Sequence, residues 1–214
     1  MNRNYVSDIR NELIILKEET KPDDMIEIVN ASFIADEPTI FGKVNENYIQ
    51  REFKWYVSQS LNVYDFDGTV PQIWADIAAK DGSINSNYGW CQFSISNGCQ
   101  YDKAITNLRN NLNSRQGAMI FTRPSMHEDA VENGRSDFMC TYAHQIMFRD
   151  GKLNYHVFMR SNDVIFGYNN DKAWADYIHQ LAADDLGVEK GVMYWNAASL
   201  HVYPRHHQLV VADG

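Results

Sequence analysis

Cys140-Thr-Tyr-Ala-His-Gln-Ile-Met-Phe-Arg149 and Lys152-Leu-Asn-Tyr-His-Val-Phe-Met-Arg160 stand on either side of Asp150-Gly151. Both flanks are rich in β-branched and aromatic residues. Asp-Gly takes the positive φ angles that a two-residue turn between twisted strands requires. The pattern predicts a β-hairpin with strands at Cys140–Phe148 and Leu153–Arg160. Downstream, Trp174, Tyr177, Ile178, Leu181 and Ala182 recur at helical spacing, which predicts a helix over Lys172–Leu186 with Gly187 as its C-terminal stop. Val192–Trp195 and Leu200–Tyr203 read as further strands, and upstream Ala118–Phe121 reads as another. Helices are predicted over residues 5–19, which carry Val6, Ile9, Leu13 and Leu16 on one face, and over Asn47–Leu61 and Pro71–Lys80. Residues 83–98, full of Ser, Asn and Gly, read as a loop. Helices and strands interleave around the hairpin, so the expected fold class is α+β or mixed α/β, in one domain over 1–214.

The chain has 214 residues with 19 Lys and Arg against 28 Asp and Glu, a net charge of −9. That excess of acid disfavours coating long nucleic acid through its phosphates, although a few arginines suffice to hold a single phosphate. A chain of this length can bury roughly 70% of its unfolded surface and needs no metal or disulfide to fold. The three cysteines, Cys91, Cys99 and Cys140, cannot all pair and form no CxxC, so no zinc site is expected and a reduced compartment is. Cys99 follows Asn97-Gly98 and reads as a turn residue. No run of eighteen apolar residues and no apolar leader appear, and the expected setting is soluble and cytoplasmic.

Chemistry gathers at the open end of the hairpin. Cys140 opens one strand, and Arg160-Ser-Asn-Asp163 closes the other. A lone cysteine is ordinarily a small buried hydrophobe. A guanidinium beside it is expected to lower the thiol pKa and to attract an anionic substrate.

These pieces, with Gly167, the helix behind it and Ser199-Leu-His-Val-Tyr203, resemble the catalytic half of the thymidylate synthase family. Glu52-Phe-Lys-Trp55, Ile73-Trp74, Asn87-Tyr-Gly89 and Asn113-Ser-Arg115 resemble its earlier motifs, at matching spacing from about residue 26 onward. Ala31-Ser-Phe-Ile-Ala-Asp-Glu-Pro38, Ser86-Asn-Tyr-Gly-Trp90, Thr122-Arg-Pro-Ser-Met126 and Ser136-Asp-Phe-Met-Cys140 are similar to one branch, the phage deoxycytidylate hydroxymethylases. The resemblance implies a central mixed β-sheet flanked by helices, a homodimer formed through that sheet, and a C-terminal end shorter than is usual in the family.

It also implies roles. Cys140 is expected to add to C6 of a pyrimidine, making C5 nucleophilic toward 5,10-methylenetetrahydrofolate, the co-substrate. A synthase then quenches the exocyclic methylene with hydride; a hydroxymethylase uses water, which Glu52 is expected to position while it handles protons. Without the resemblance, Glu52 reads as an exposed helix carboxylate. Arg160 and Ser161 are expected to hold the 5′-phosphate, with Arg115 reaching in from the second subunit. The family has two adjacent arginines there, and this chain has Gln116 as the second. Asn162, His201 and Tyr203 are expected at the nucleotide, the last two at the sugar. Trp74, Ile73, Asp163 and Gly167 are expected at the folate.

Asp171 marks the branch. Synthases carry asparagine there, whose donor and acceptor match uracil. A protonated Asp171, or an ionised one facing N3-protonated cytosine, matches cytosine instead. Read alone, Asp171 is a helix N-cap. The implied product is 5-hydroxymethyl-dCMP for modified phage DNA, made in the infected host cell, with other phage nucleotide-synthesis enzymes as possible partners. Thymidylate synthesis from dUMP, hydroxymethylation of CMP, and a silent nucleotide-binding subunit of a phage precursor-synthesis complex are the competing readings.

Overall fold

A computed structural model describes residues 4–211, so residues 1–3 and the end of the expected short C-terminus, 212–214, lie outside the described residues. In chain order, α1 (Val6–Glu19), β1 (Ile26–Ile34), α2 (Glu46–Ser58), α3 (Gln72–Ile77), α4 (Tyr88–Phe93), α5 (Gln100–Asn110) and β2 (Ala118–Ile120) form the first half. Then come α6 (Met126–Asp129), β3 (Thr141–Arg149), β4 (Lys152–Met159), β5 (Asn162–Asp163), α7 (Gly167–Leu186) and β6 (Glu189–Val202). The hairpin forms as the sequence predicts, with Asp150 at φ 54° and Gly151 at φ 80°.

The sheet runs β1-β6-β4-β3-β2, and β5 also pairs with β6. The β4 and β5 pairings with β6 are parallel and the rest antiparallel. Met159 pairs with Ala197 and Asn162 with Leu200, the same offset on both sides of Arg160-Ser161. Strands β4 and β5 are therefore one line along β6, and Arg160 and Ser161 are an unpaired step within it. On the other side the Arg160 backbone N–H donates to the Cys140 carbonyl at 2.8 Å, which carries the β3–β4 pairing one residue past Met159.

One face of the sheet carries Leu153, Tyr155, Val157 and Met159 of β4 and Met193, Trp195 and Ala197 of β6, all buried in the core with Trp174 and Ile178 of α7. The alternate residues point the other way, as the period of two requires. There His156, Phe158 and Tyr194 are half-buried, while Val29 and Ile120 are 74% and 60% exposed. His156 stacks on Tyr194 at 4.8 Å.

Helix α4 presses on α2 at Gly89, where a Cβ would stand 1.8 Å from the Tyr56 carbonyl oxygen. Asn87 caps α4 through the Trp90 N–H and donates to the carbonyls of Trp55 and Ser60, which pins the two helices together.

Residues 83–98 are not a plain loop, because Asn87 caps a helix within them. The two C-terminal strands are one strand of 14 residues. Helix α3 is six residues long. Helix α7 begins five residues before Lys172, so Asp171 lies inside it and is not its cap. Strand β1 and helix α5 were not foreseen.

Candidate active site

Cys140 sits at the last position before β3, half-buried, opposite Arg160. The Arg160 guanidinium donates to the carbonyls of Met139 at 3.0 Å and Phe138 at 2.5 Å, lies 5.1 Å from the centre of the Phe138 ring, and places Nη2 3.8 Å from Cys140 Sγ. Both side chains are thus anchored to one stretch of backbone. Arg160 lowers the thiol pKa as expected, but the net shift is upward. Burial pushes Cys140 up to about 11; Arg160 pulls it down, and Asp171 and Asp137 push it further up. Desolvation of a thiolate outweighs one nearby cation here.

Glu52, expected from the bare sequence to be exposed, is 2% exposed. One turn earlier on α2, the Tyr48 hydroxyl donates to Glu52 Oε1 at 2.7 Å. The Trp74 indole N–H lies 3.1 Å from the same oxygen and 3.0 Å from the Tyr48 hydroxyl. Burial raises the Glu52 pKa to about 7 against the lowering effect of hydrogen bonds from Tyr48, Trp74 and Tyr56. A carboxyl poised there both gives and takes protons near neutrality. Trp74 points its N–H inward, while its neighbour Ile73 is 57% exposed.

Asp171 is half-buried on the first turns of α7. Asn162 Nδ2 donates to Asp171 Oδ2 at 3.0 Å, and the Trp195 indole N–H donates to Asn162 Oδ1 at 3.1 Å. The Tyr88 hydroxyl, 2.8 Å from Thr141 Oγ1, also reaches the Asp171 carboxyl. Burial, with Glu52 and Asp163 adding, pushes the Asp171 pKa up to about 8, while Tyr88 and Asn162 pull it back. Asp163 does the capping, accepting from the backbone N–H groups of Ile165, Phe166 and Gly167 at 3.3, 3.0 and 3.3 Å. A Cβ on Gly167 would lie 3.2 Å from Asn162 Nδ2, so glycine lets the helix start against that amide.

His201 and Tyr203 share a side, their rings 4.8 Å apart. Asp163 and Arg160 act electrostatically on both, and Cys140 acts on Tyr203, which brings the pair to this cluster. Ser199 Oγ lies 3.2 Å from His201 Nδ1 and donates to Glu27. Ser161 occupies the unpaired step beside Arg160.

Arg115 is elsewhere. It is exposed, its carbonyl accepts from Gln145 Nε2 at 2.7 Å, and with Asn111, Asn113, Ser114 and Gln116 it lines a surface depression. Gln145 is five residues along β3 from Cys140, or about 16 Å at roughly 3.3 Å per residue. The structure therefore gathers Cys140, Glu52, Arg160, Asp171, Asn162, His201 and Tyr203, and leaves Arg115 of the same chain out. Tyr48, Tyr88 and Trp195 were missed. Tyr48 left a signal in its spacing of four from Glu52 on one helix, and Tyr88 in the Asn87-Tyr-Gly89 motif; Trp195 left none.

The thymidylate synthase family model matches residues 40–212. The deoxycytidylate 5-hydroxymethyltransferase of Enterobacteria phage T4 is 50% identical over 192 residues, covering 86% of this chain and 78% of that protein. Among solved structures, thymidylate synthase A from Bacillus subtilis superposes with a TM-score of 0.71 at 24% identity, covering 95% of this chain and 80% of that one. The synthase from T4 phage gives 0.73 at 18% identity, covering 94% and 77%. The central mixed sheet flanked by helices is the fold they share with it, and on the family match and the close relative together, this chain belongs to the thymidylate synthase family.

Proposed function

We propose that the protein transfers a hydroxymethyl group to C5 of dCMP. The observation that carries the reading is the Asp171 carboxyl on the first turns of α7, held by Asn162 Nδ2 at 3.0 Å among Tyr88, Glu52 and Cys140, where burial favours its protonated form. Cytosine offers an acceptor at N3 and a donor at its amino group. A carboxyl with its hydrogen on the oxygen that faces N3 supplies the complement, whereas uracil's N3–H needs an acceptor at that place. The 50% identical phage relative agrees with this reading.

Cys140 is the nucleophile toward C6, with its proton leaving as the bond forms. Glu52 moves protons at C5 and holds the water that completes the hydroxymethyl group. Arg160 and Ser161 receive the 5′-phosphate, and His201 and Tyr203 the sugar hydroxyl. Methylenetetrahydrofolate supplies the one-carbon unit when bound. Trp74, Ile73, Asp163 and Gly167 fit a flat pterin, because the segments that carry Trp74 and Asp163 each leave a large apolar side chain in solvent, Ile73 and Phe166. The test is product identification after incubation of dCMP, dUMP or CMP with methylenetetrahydrofolate. 5-Hydroxymethyl-dCMP is the expected product, and thymidylate from dUMP would overturn the reading.

Asp171→Asn replaces a carboxyl that the dCMP reading needs in its protonated form with the amide that synthases carry for uracil. A mismatched buried polar pair costs on the order of 1–3 kcal/mol, so kcat/KM should shift from dCMP toward dUMP by roughly tenfold to a hundredfold. An unchanged ratio would mean that other groups read the base.

The working unit in this reading is a homodimer through the uncovered sheet face, with Arg115 serving the neighbour's phosphate. Its exposure and its distance from Cys140 of its own chain support that. Mixing inactive Cys140→Ser and inactive Arg115→Ala subunits should then recover activity, since some hybrid dimers hold one intact site. Recovery is measured after subunit exchange has been demonstrated by mixed-label mass spectrometry; exchange without recovery would remove Arg115 from the neighbouring site.

A further inference from the structure

We propose that Trp195 and Asn162 fix which oxygen of Asp171 carries the proton, and so make the carboxyl a donor to N3 and an acceptor for the amino group of cytosine. The inference rests on the dCMP reading above and deepens it. An indole N–H can only donate. Because Trp195 donates to Asn162 Oδ1 at 3.1 Å, the other end of that amide is its NH₂, which lies 3.0 Å from Asp171 Oδ2. Trp195 is fully buried and Asn162 is 2% exposed, so water does not compete for the contact between them. An NH₂ facing Oδ2 makes that oxygen an acceptor. The carbonyl oxygen of an acid is its stronger acceptor, so this contact favours the form with the hydrogen on Oδ1.

This resolves a choice that the carboxyl alone leaves open. An acid with its proton on either oxygen at random presents the wrong pattern to the base half the time. With Oδ2 committed as the carbonyl, one lone pair takes the Asn162 N–H and the other is left for the cytosine amine, while Oδ1–H faces N3. Tyr88, the remaining hydrogen-bonding neighbour, cannot make this choice, because a phenol hydroxyl donates or accepts as required. Its own position is set by Thr141. Gly167 contributes space, since any side chain there would crowd the Asn162 amide.

The groups that face Asp171 are Glu52, Tyr48 and Tyr56 on α2, Tyr88 on α4, Asn162 and Asp163 of β5, and Cys140 ahead of β3. The charges that act on it are acidic, which keeps the proton on; Asn162 and Tyr88 favour its loss. In the wild type, kcat/KM for dCMP should therefore fall as pH rises past about 8. Cys140, at about 11, ionises too late to mask that limb.

The experiment is kcat/KM against pH for dCMP and dUMP in the wild type, Asn162→Ala and Trp195→Phe, with thermal melting to check folding. Asn162→Ala should lower the dCMP-to-dUMP ratio roughly tenfold, the worth of one buried hydrogen bond that sets orientation. It should also move the alkaline limb for dCMP to higher pH, because a group that favoured the ionised form is gone. A role in packing alone would leave that limb where it is. Trp195→Phe should lower the ratio in the same direction, since the amide is then free to flip. An unchanged ratio and limb in Asn162→Ala overturns the proposal, whether or not Trp195→Phe folds. A shifted Asn162→Ala with an unaltered, folded Trp195→Phe removes Trp195 from it. A wild type that does not consume dCMP overturns the parent reading instead, which is a separate and recognisable result.

Discussion

Cys140→Ser should give a folded protein that turns over dCMP roughly 10⁴-fold more slowly or worse and forms no covalent adduct with 5-fluoro-dCMP. The change is nearly isosteric at a half-buried position, so the hairpin and the Arg160 contacts to the Phe138 and Met139 carbonyls remain. What disappears is the sulfur that Arg160 faces at 3.8 Å. At about 11, the wild-type thiol keeps its proton in the resting protein, so addition to C6 has to be coupled to removal of that proton. A hydroxyl holds its proton far more tightly and is a poorer nucleophile, and the same push cannot activate it. Cys91 provides the control. It is fully buried, its Sγ lies 4.0 Å from Met139 Sδ, and burial pushes it to about 12, the profile of a packing residue. Cys91→Ala should lower the melting temperature and leave the adduct intact. Intact-mass detection of the adduct in both variants decides; an adduct in Cys140→Ser would end its claim as nucleophile.

What the sequence made legible was whatever is encoded within a few residues. Asp150-Gly151 sets the turn through its own φ preferences, and Gly187 ends α7 at φ 65°. Strand β1 escaped notice because Asn30 takes φ 59° in its middle and interrupts the alternation of Ile26, Ile28, Ala31 and Phe33. Helix α5 places Tyr101, Ala104, Ile105 and Leu108 on one face, a short stripe in a polar segment whose N-cap, Cys99, is left-handed and makes no capping bond. The start of α7 was placed late because its amides are served by Asp163, four residues before Gly167, and Asp171 was left looking like a cap.

The site shows the same division. Family motifs pointed to Cys140, Arg160, Glu52 and Asp171, which the fold brings together, but the sign of the net effect on the thiol depends on how much water the fold excludes, which no spacing records. The Trp195–Asn162–Asp171 chain joins β6, β5 and α7, and hydrogen-bond direction across three elements exists only after they pack.

Glu52→Gln should lower kcat by about 10²–10⁴-fold, the usual contribution of a positioned acid or base, with a much smaller change in KM. The glutamine can still accept from Tyr48 at 2.7 Å and Trp74 at 3.1 Å through its amide oxygen, so the aromatic frame around position 52 is kept. It cannot exchange a proton. Release of tritium from C5 of labelled dCMP, which requires a base near that carbon, should fall with kcat. The pH dependence separates chemistry from packing. With a pKa of about 7, Glu52 loses its proton as pH rises through neutrality, so a step needing the carboxylate gains rate across that range in the wild type. In Glu52→Gln that rise should be absent. Tyr48→Phe removes a hydrogen bond that favours the ionised form, so in that variant the rise should move to higher pH with only a modest loss of maximal rate. If the rise through neutrality persists in Glu52→Gln, the titrating group is another one, and the carboxyl at position 52 only holds Tyr48 and Trp74 in place. If it vanishes there and shifts in Tyr48→Phe, the four-residue spacing on α2 tunes the proton carrier, because a hydroxyl one turn away sets how firmly Glu52 holds its proton.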